Sequence, residues 1–191
     1  IICVTNFSKS VLEDHFTVNK DKLIVIHNGF NNLKKAYHEN TDRKYIKQSL
    51  GFSSEEFIIL FVGKLEYRKG IEPLTHAFRN ISYNYQNIRL IVIGDGNLKI
   101  KLQKVNRNQK NIIFLGNIPK SELTNYYQIA DIGVIPSVFE QCSYVALEMM
   151  YYKVPVVTTN TSGLQEIFSM ESALFIPAAK NYGYESVDNH E

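Results

Sequence analysis

Two glutamates eight positions apart, Glu140 and Glu148, bracket the stretch FEQCSYVALEMM (139–150), which carries no other charge. A carboxylate within an apolar helix is costly unless something pairs with it, so Glu148 asks for a partner or a ligand. Helical spacing puts Tyr144 and Glu148, i and i+4, on one face. Val145, Met149 and Tyr152 then turn toward a core with Ala146 and Met150 beside them. On that reading Glu148 looks across a ligand-binding edge rather than into the core, where a carboxylate suits two adjacent hydroxyls such as those of a ribose. The position also fits an exposed helix glutamate. If the helix begins near Ser143, the amides of Ser143, Tyr144 and Val145 lack intrahelical partners and form an anion site. Glu140, in the loop before it, is placed to reach a sugar hydroxyl or a reacting centre, or stands as a surface acid.

A second chemical stretch is GKLEYRKG (63–70), where Gly63 and Gly70 frame Lys64, Arg68 and Lys69. Glycines admit close approach of backbone to a phosphate, and lysines supply point charges for a diphosphate. A solvated charged loop has the same composition. GDGN (94–97) offers Gly94 and Gly96 for a tight turn, but residue 99 is Lys, so G-x-G-x-x-G is not completed.

These stretches need elements to position them. The 191 residues are 45% hydrophobic and 21% charged, enough for one well-filled core, and one domain over 1–191 is expected. Short apolar runs at 1–5, 22–29, 57–64, 88–96, 111–116, 131–137, 154–159 and 172–177 have the continuous character of strands buried on both faces. Helical spacing occupies roughly 7–18, 42–50, 70–83, 97–107, 120–130 and 143–152. The alternation predicts an α/β fold: a doubly wound, Rossmann-like parallel sheet of about six strands from residue 57 onward, with helices on both faces. Ligands of such sheets bind beyond the carboxyl ends of the strands. The loops after 57–62, 89–93, 112–115 and 132–135 carry GKLEYRKG, GDGN, GNIPKSEL and PSVFEQCS, and would meet at one edge.

The balance of 21 Lys and Arg against 19 Asp and Glu leaves a formal charge of +2, too even for a nucleic-acid footprint, so any basic function must be local. Two cysteines, Cys3 and Cys142, have no metal-ligand spacing and suggest neither a disulfide framework nor a zinc site, which points to a cytoplasmic setting. No apolar run approaches the length of a membrane span.

In this order the pieces resemble the carboxyl-terminal, donor-binding domain of GT-B retaining glycosyltransferases of family 4, or group 1. FVGKLEYRKGIEPLTHAF and LIVIGDGNLKIKL are similar to that family's glycine-basic loop and its strand with glycine turn. IIFLGNIPKSELTNYYQIADIGVIPS and FEQCSYVALEMMYYKVPVVTTNTSGLQEI cover its E-x7-E motif and the strand and turn beyond. The resemblance implies that Lys64 and Lys69 bind the donor diphosphate, with Gly63 and Gly94 at the turns. It further implies that Glu148 binds the ribose hydroxyls, that the amides of Ser143, Tyr144 and Val145 hold phosphate and sugar, and that Gly116 to Ile118 face the base. Glu140 would act at the transferred sugar. The donor implied is a nucleotide-diphosphate sugar, a UDP-sugar first among them. Neither cofactor nor metal is expected, and the sequence lacks the Asp-x-Asp of the metal-using GT-A class. A sugar, lipid-linked or protein acceptor would bind an amino-terminal domain outside this chain, and that domain leaves room for peripheral membrane association. The chain is thus expected to be a fragment that also lacks the terminal helices and has little activity alone.

The departures from the family pattern are specific. Lys64 stands where Arg is usual and gives up bidentate phosphate geometry. Cys142 and Ser143 replace an aromatic-glycine pair, and Cys142 reads as lining a pocket rather than as a nucleophile, since no His lies near it in sequence. His27 reads as a packed or capping residue and Asn28-Gly29 as a structural turn. A nucleotide-sugar epimerase or phosphorylase domain of the same fold, and a non-catalytic nucleotide-binding or scaffold module, are the alternatives.

Overall fold

The computed structural model describes residues 1–29 and 42–178; the closing stretch from Asn181 lies outside them. The opening elements are β1 (Ile2–Cys3), α1 (Asn6–His15) and β2 (Ile24–Val25). Strands expected over 1–5 and 22–29 shrink to two residues each, paired parallel to one another and apart from the main sheet. The first stops early because Thr5 turns out of the strand to cap α1, its Oγ1 accepting from the Ser8 amide at 3.1 Å.

Beyond them follow α2 (Arg43–Ser49), β3 (Phe57–Val62), α3 (Ile71–Ser82), β4 (Ile88–Ile93), α4 (Lys99–Val105) and β5 (Ile112–Gly116). The chain continues with α5 (Lys120–Ile129), β6 (Ile132–Ile135), α6 (Tyr144–Tyr151), β7 (Val156–Thr159), α7 (Ser162–Ile167) and β8 (Ala173–Ile176). The six strands from β3 form one sheet in the order β5-β4-β3-β6-β7-β8, every pairing parallel. This is the doubly wound order, with the first strand central and the direction of winding reversed beside it.

Both faces of the sheet are covered, which is why its strands read as continuous apolar runs. Along β3, Ile58 and Leu60 enter a core with Ile46 of α2, Tyr127 of α5, Met149 of α6 and Leu164 of α7. Ile59 and Phe61 point the other way, toward Ile71 and Phe78 of α3 and Leu102 of α4. Asp131 fastens α2 to the sheet, accepting from the Ile58 amide at 2.7 Å and from Arg43 Nη2 at 2.6 Å. Buried Lys47 adds a longer contact to the same carboxylate at 3.5 Å.

Winding in opposite senses from β3 opens a crevice at the carboxyl ends of β3 and β6. The loops that follow the strands close tightly on one another there. Gly94 has φ +134°, and a Cβ on it would lie 1.9 Å from the carbonyl oxygen of Gly63, so the turns after β3 and β4 touch through bare backbone.

Candidate functional site

At that crevice Lys69, in the 3-10 turn Tyr67–Lys69 after β3, donates to Glu140 Oε2 at 2.5 Å. Ser137 Oγ reaches the same oxygen at 3.4 Å. The two side chains are 23% and 11% exposed, so solvent screens the pair only in part. Backbone joins the loops too, since the Val138 amide donates to the Arg68 carbonyl at 2.8 Å. The pair borders a cavity of about 220 Å³ that Asn28, Arg68 and Cys142 also line. Cys142 therefore lines a pocket, as its position suggests, and accepts from Asn28 Nδ2 at 3.3 Å. Asn28 thus ties the segment after β2 to the Glu140 loop, while His27 is exposed and its Nδ1 lies 3.3 Å from the Val4 carbonyl.

Gly63, Lys64, Gly94 and Ile118 meet in a second cavity of about 310 Å³, with Asp95 and Asn117. Six of the sequence-designated residues accordingly fall into two groups along one sheet edge, Lys69 and Glu140 in one and Gly63, Lys64, Gly94 and Ile118 in the other. Lys64 is 69% exposed, its Nζ 3.8 Å from Glu66 Oε1. Arg68 donates to the other oxygen of Glu66 at 2.9 Å, and that hydrogen bond, more than the charges nearby, holds the Glu66 carboxyl below its usual range. Asp95 is likewise held low, first by Lys99 Nζ at 2.6 Å and then by the Gly96 amide at 2.8 Å.

Helix α6 starts at Tyr144, with Ser143 as its cap: Ser143 Oγ accepts from the Ala146 amide at 3.2 Å. The Tyr144 and Val145 amides sit in the first turn, where a helix leaves N–H groups without intrahelical acceptors, and Tyr144 is exposed.

Glu148 departs from expectation. It is buried at 9% exposure, not turned outward across the crevice. Its Oε2 accepts from the Tyr127 hydroxyl at 2.7 Å, and Lys120 Nζ lies 3.6 Å from Oε1. The reason is the packing of α6 against α5: Tyr127 stacks on Tyr152 at 5.2 Å, which aims its hydroxyl at Glu148. Burial, and then the neighbouring carboxylate, push the Tyr127 phenol far above its ordinary value, so it stays a donor. Met150, placed beside the sheet by spacing alone, is instead exposed.

Two further residues shape the site and escaped sequence reasoning. Glu166 of α7 caps α1, one oxygen accepting from the Asn6 amide and the other from the Phe7 amide, each at 2.7 Å. A lone acid whose partners lie 160 and 159 residues away gives no signal in the sequence. Gly163, one turn earlier, underlies the Glu140 loop, and a Cβ there would come within 2.2 Å of the carbonyl oxygens of Glu140 and Gln141. Helix α7, only six residues long, shows too little periodicity to be read as a helix. Phe7 and Phe139 meet edge to face at 6.4 Å, a direct link between α1 and the loop.

Among the described residues no group of three His, Cys, Asp or Glu side chains is placed to hold a metal ion. No helix among them is long and apolar enough to cross a membrane.

Comparison with known proteins bears on what such a site serves. Residues 42–182 match the family model described as glycosyl transferases group 1. An uncharacterized glycosyltransferase of Methanocaldococcus jannaschii is 35% identical over 175 residues, a span covering 88% of this chain and 45% of the relative. The solved structure of WaaG, a glycosyltransferase involved in lipopolysaccharide biosynthesis, superposes with a TM-score of 0.81 at 19% identity over 92% of this chain and 48% of WaaG. HepE of Anabaena, solved in complex with UDP and glucose, gives 0.77 at 18% identity, again over 92% of this chain and 48% of HepE. The chain thus spans less than half the length of these relatives.

Proposed function

The chain belongs to the group 1 glycosyltransferases, and from that membership we propose that it supplies the donor-binding half of a retaining transferase that moves a hexose from a nucleotide-diphosphate sugar to a hydroxyl acceptor. The observation that carries this reading is the Lys69–Glu140 pair at the crevice where the winding of the sheet reverses. It sets a cation for phosphate beside a carboxylate for the sugar, at the edge where such sheets take their ligands.

The base lies in the cavity of Gly63, Gly94 and Ile118, and the ribose hydroxyls reach Glu148 Oε1 in place of the 3.6 Å contact it makes with Lys120 Nζ. The diphosphate lies between Lys64 and Lys69, with the first-turn amides of α6 at its far end. Lys69 has N–H bonds beyond the one given to Glu140 and turns them to the diphosphate. As the sugar–phosphate bond breaks, negative charge grows on the leaving nucleotide, and these cations and amides stabilise it. No metal is needed for that charge. Glu140 stands at the sugar and steadies its reacting face, while the acceptor hydroxyl attacks with net retention at the anomeric carbon.

UDP is the first candidate nucleotide, in keeping with its presence in the HepE complex. A sugar, a lipid-linked glycan or a protein is the acceptor, held by the part of the enzyme beyond this chain, and that part carries any membrane association. This chain alone is inactive. Two free cysteines, Cys3 and Cys142, agree with a reducing cytoplasmic compartment.

The test is calorimetric titration of the chain and of the full-length protein with UDP, GDP, ADP and their sugar conjugates, repeated on Lys69→Ala and Glu148→Ala. One nucleotide class should bind and both substitutions should weaken it. Full-length protein that binds none of them at millimolar concentration would end the reading.

A further inference from the structure

The near-neutral total charge conceals a strong segregation. From Arg79 to Lys120 eight lysines and arginines stand against Asp95 as the single carboxylate, whereas the whole chain holds 21 against 19. Some of these cations are already paired: Lys99 with Asp95, Lys101 with Glu72, Arg89 with Glu56 and Lys120 with Glu148. Arg79, Lys104, Arg107 and Lys110 gather where α3 ends and where the chain leaves α4 for β5.

That region holds a cavity of about 720 Å³, larger than either cavity at the crevice. Arg79, Arg89 and Lys110 line it, with no carboxylate among the described lining residues, together with side-chain amides such as Gln86 and Asn108. Ser82, nearly buried, and the exposed Tyr83 add hydroxyls. Arg89 is the second residue of β4 and Asn111 precedes β5, so the cavity lies at the amino ends of strands, the opposite end of the sheet from Lys69 and Glu140.

We infer that this cavity is a second ligand site, taking a phosphate ester of a polyol. Among the described residues the guanidinium of Arg79 donates to Asn106 Oδ1, through a long hydrogen bond of 3.3 Å. It keeps a fork of N–H groups suited to phosphate oxygens. Lys110 adds a point charge. Amides and hydroxyls around the cations match the hydroxyl groups that a polyol carries beside its phosphate. A volume of this order suits a small molecule or a lipid headgroup rather than a single ion. A soluble sugar or glycerol phosphate and the headgroup of an anionic phospholipid share this chemistry. The site is independent of the donor reading, since no residue is common to the two.

The experiment is titration of the chain with glycerol 3-phosphate, alongside co-sedimentation with vesicles of phosphatidylglycerol and, as control, phosphatidylcholine. Wild-type protein, Arg79→Gln/Lys110→Gln, Arg79→Lys and Lys69→Ala are compared, with thermal unfolding to show that each variant is folded. Saturable binding of the soluble ester or selective binding to phosphatidylglycerol is expected, and which arm responds names the source. The double substitution should weaken it by about a hundredfold, about tenfold for each cation removed. Arg79→Lys should weaken it less and Lys69→Ala should leave it unchanged. The inference is overturned by absence of binding in both arms, or by binding that the double substitution leaves intact.

Discussion

Lys69 and Glu140, 71 residues apart in sequence, meet at 2.5 Å across the junction of the loops that follow β3 and β6. Each belongs to a different half of the doubly wound sheet, so the pair exists only because β3 and β6 lie side by side.

The pair separates binding from chemistry. Lys69→Ala removes a charge from the diphosphate and should weaken donor binding about tenfold. Glu140→Gln keeps the shape of the loop and should leave donor affinity within a few-fold while slowing transfer about a hundredfold or more. Binding by calorimetry and turnover by single-time-point transfer assays on the full-length protein resolve the two. Equal loss of binding in both variants would contradict the division of labour.

Tyr127→Phe deletes the donor to Glu148 and leaves a buried carboxylate oxygen without it. The expected loss is about 1–3 kcal/mol of stability, read from urea unfolding, with weaker nucleotide binding because Glu148 is no longer fixed. The same substitution changes the alkaline behaviour. Burial raises the folded-state phenol above its unfolded value, so the stability it contributes is complete below about pH 10 and declines as pH rises beyond that, by at most about 1.4 kcal/mol per unit. Unfolding curves at successive pH values above 10 should fall more steeply for the wild type than for Tyr127→Phe; parallel curves would contradict this origin.

Glu166→Ala removes the acceptor shared by the Asn6 and Phe7 amides. A cap of this kind contributes about 1–2 kcal/mol, and hydrogen exchange at these two amides should accelerate about tenfold. Glu166→Gln, which retains one good acceptor, should lie between. Unaltered exchange in the alanine variant would show that another group caps α1.

Gly163→Ala tests the floor of the Glu140 loop. The added methyl cannot coexist with the carbonyl oxygens of Glu140 and Gln141, so the loop must move. Donor binding should drop about tenfold or more, the scale of one displaced charged group, while far-ultraviolet circular dichroism stays near that of the wild type. Unchanged affinity would mean that the loop tolerates the shift.

The fold was legible because strands buried on both faces carry their signal in every residue; IILFV of β3 and LIVI of β4 need no context to be read. Lys69 and Glu140 were legible from spacing and from the resemblance, and they are the residues that meet. The direction of Glu148 was not. Helical spacing places it on the side of Tyr144, but what decides its environment is Tyr127 on another helix, a tertiary pairing that no local period encodes. The Glu166 cap and the Gly163 contact escaped for the same reason. β1 and β2 were overextended because apolar runs mark burial rather than the length of a ladder, and a capping threonine ended the first run.

The strand order also implies a sequence of events in folding. β3 closes with β4 across a single helix, α3, whereas its pairing with β6 must enclose α3, β4, α4, β5 and α5 and carries the larger loop-closure entropy. The basic loop therefore joins its half of the sheet early, and the acidic loop arrives with the last long-range seam. A chain arrested between those stages has a folded half-sheet and no Lys69–Glu140 pair, so that contact marks completion of the central seam.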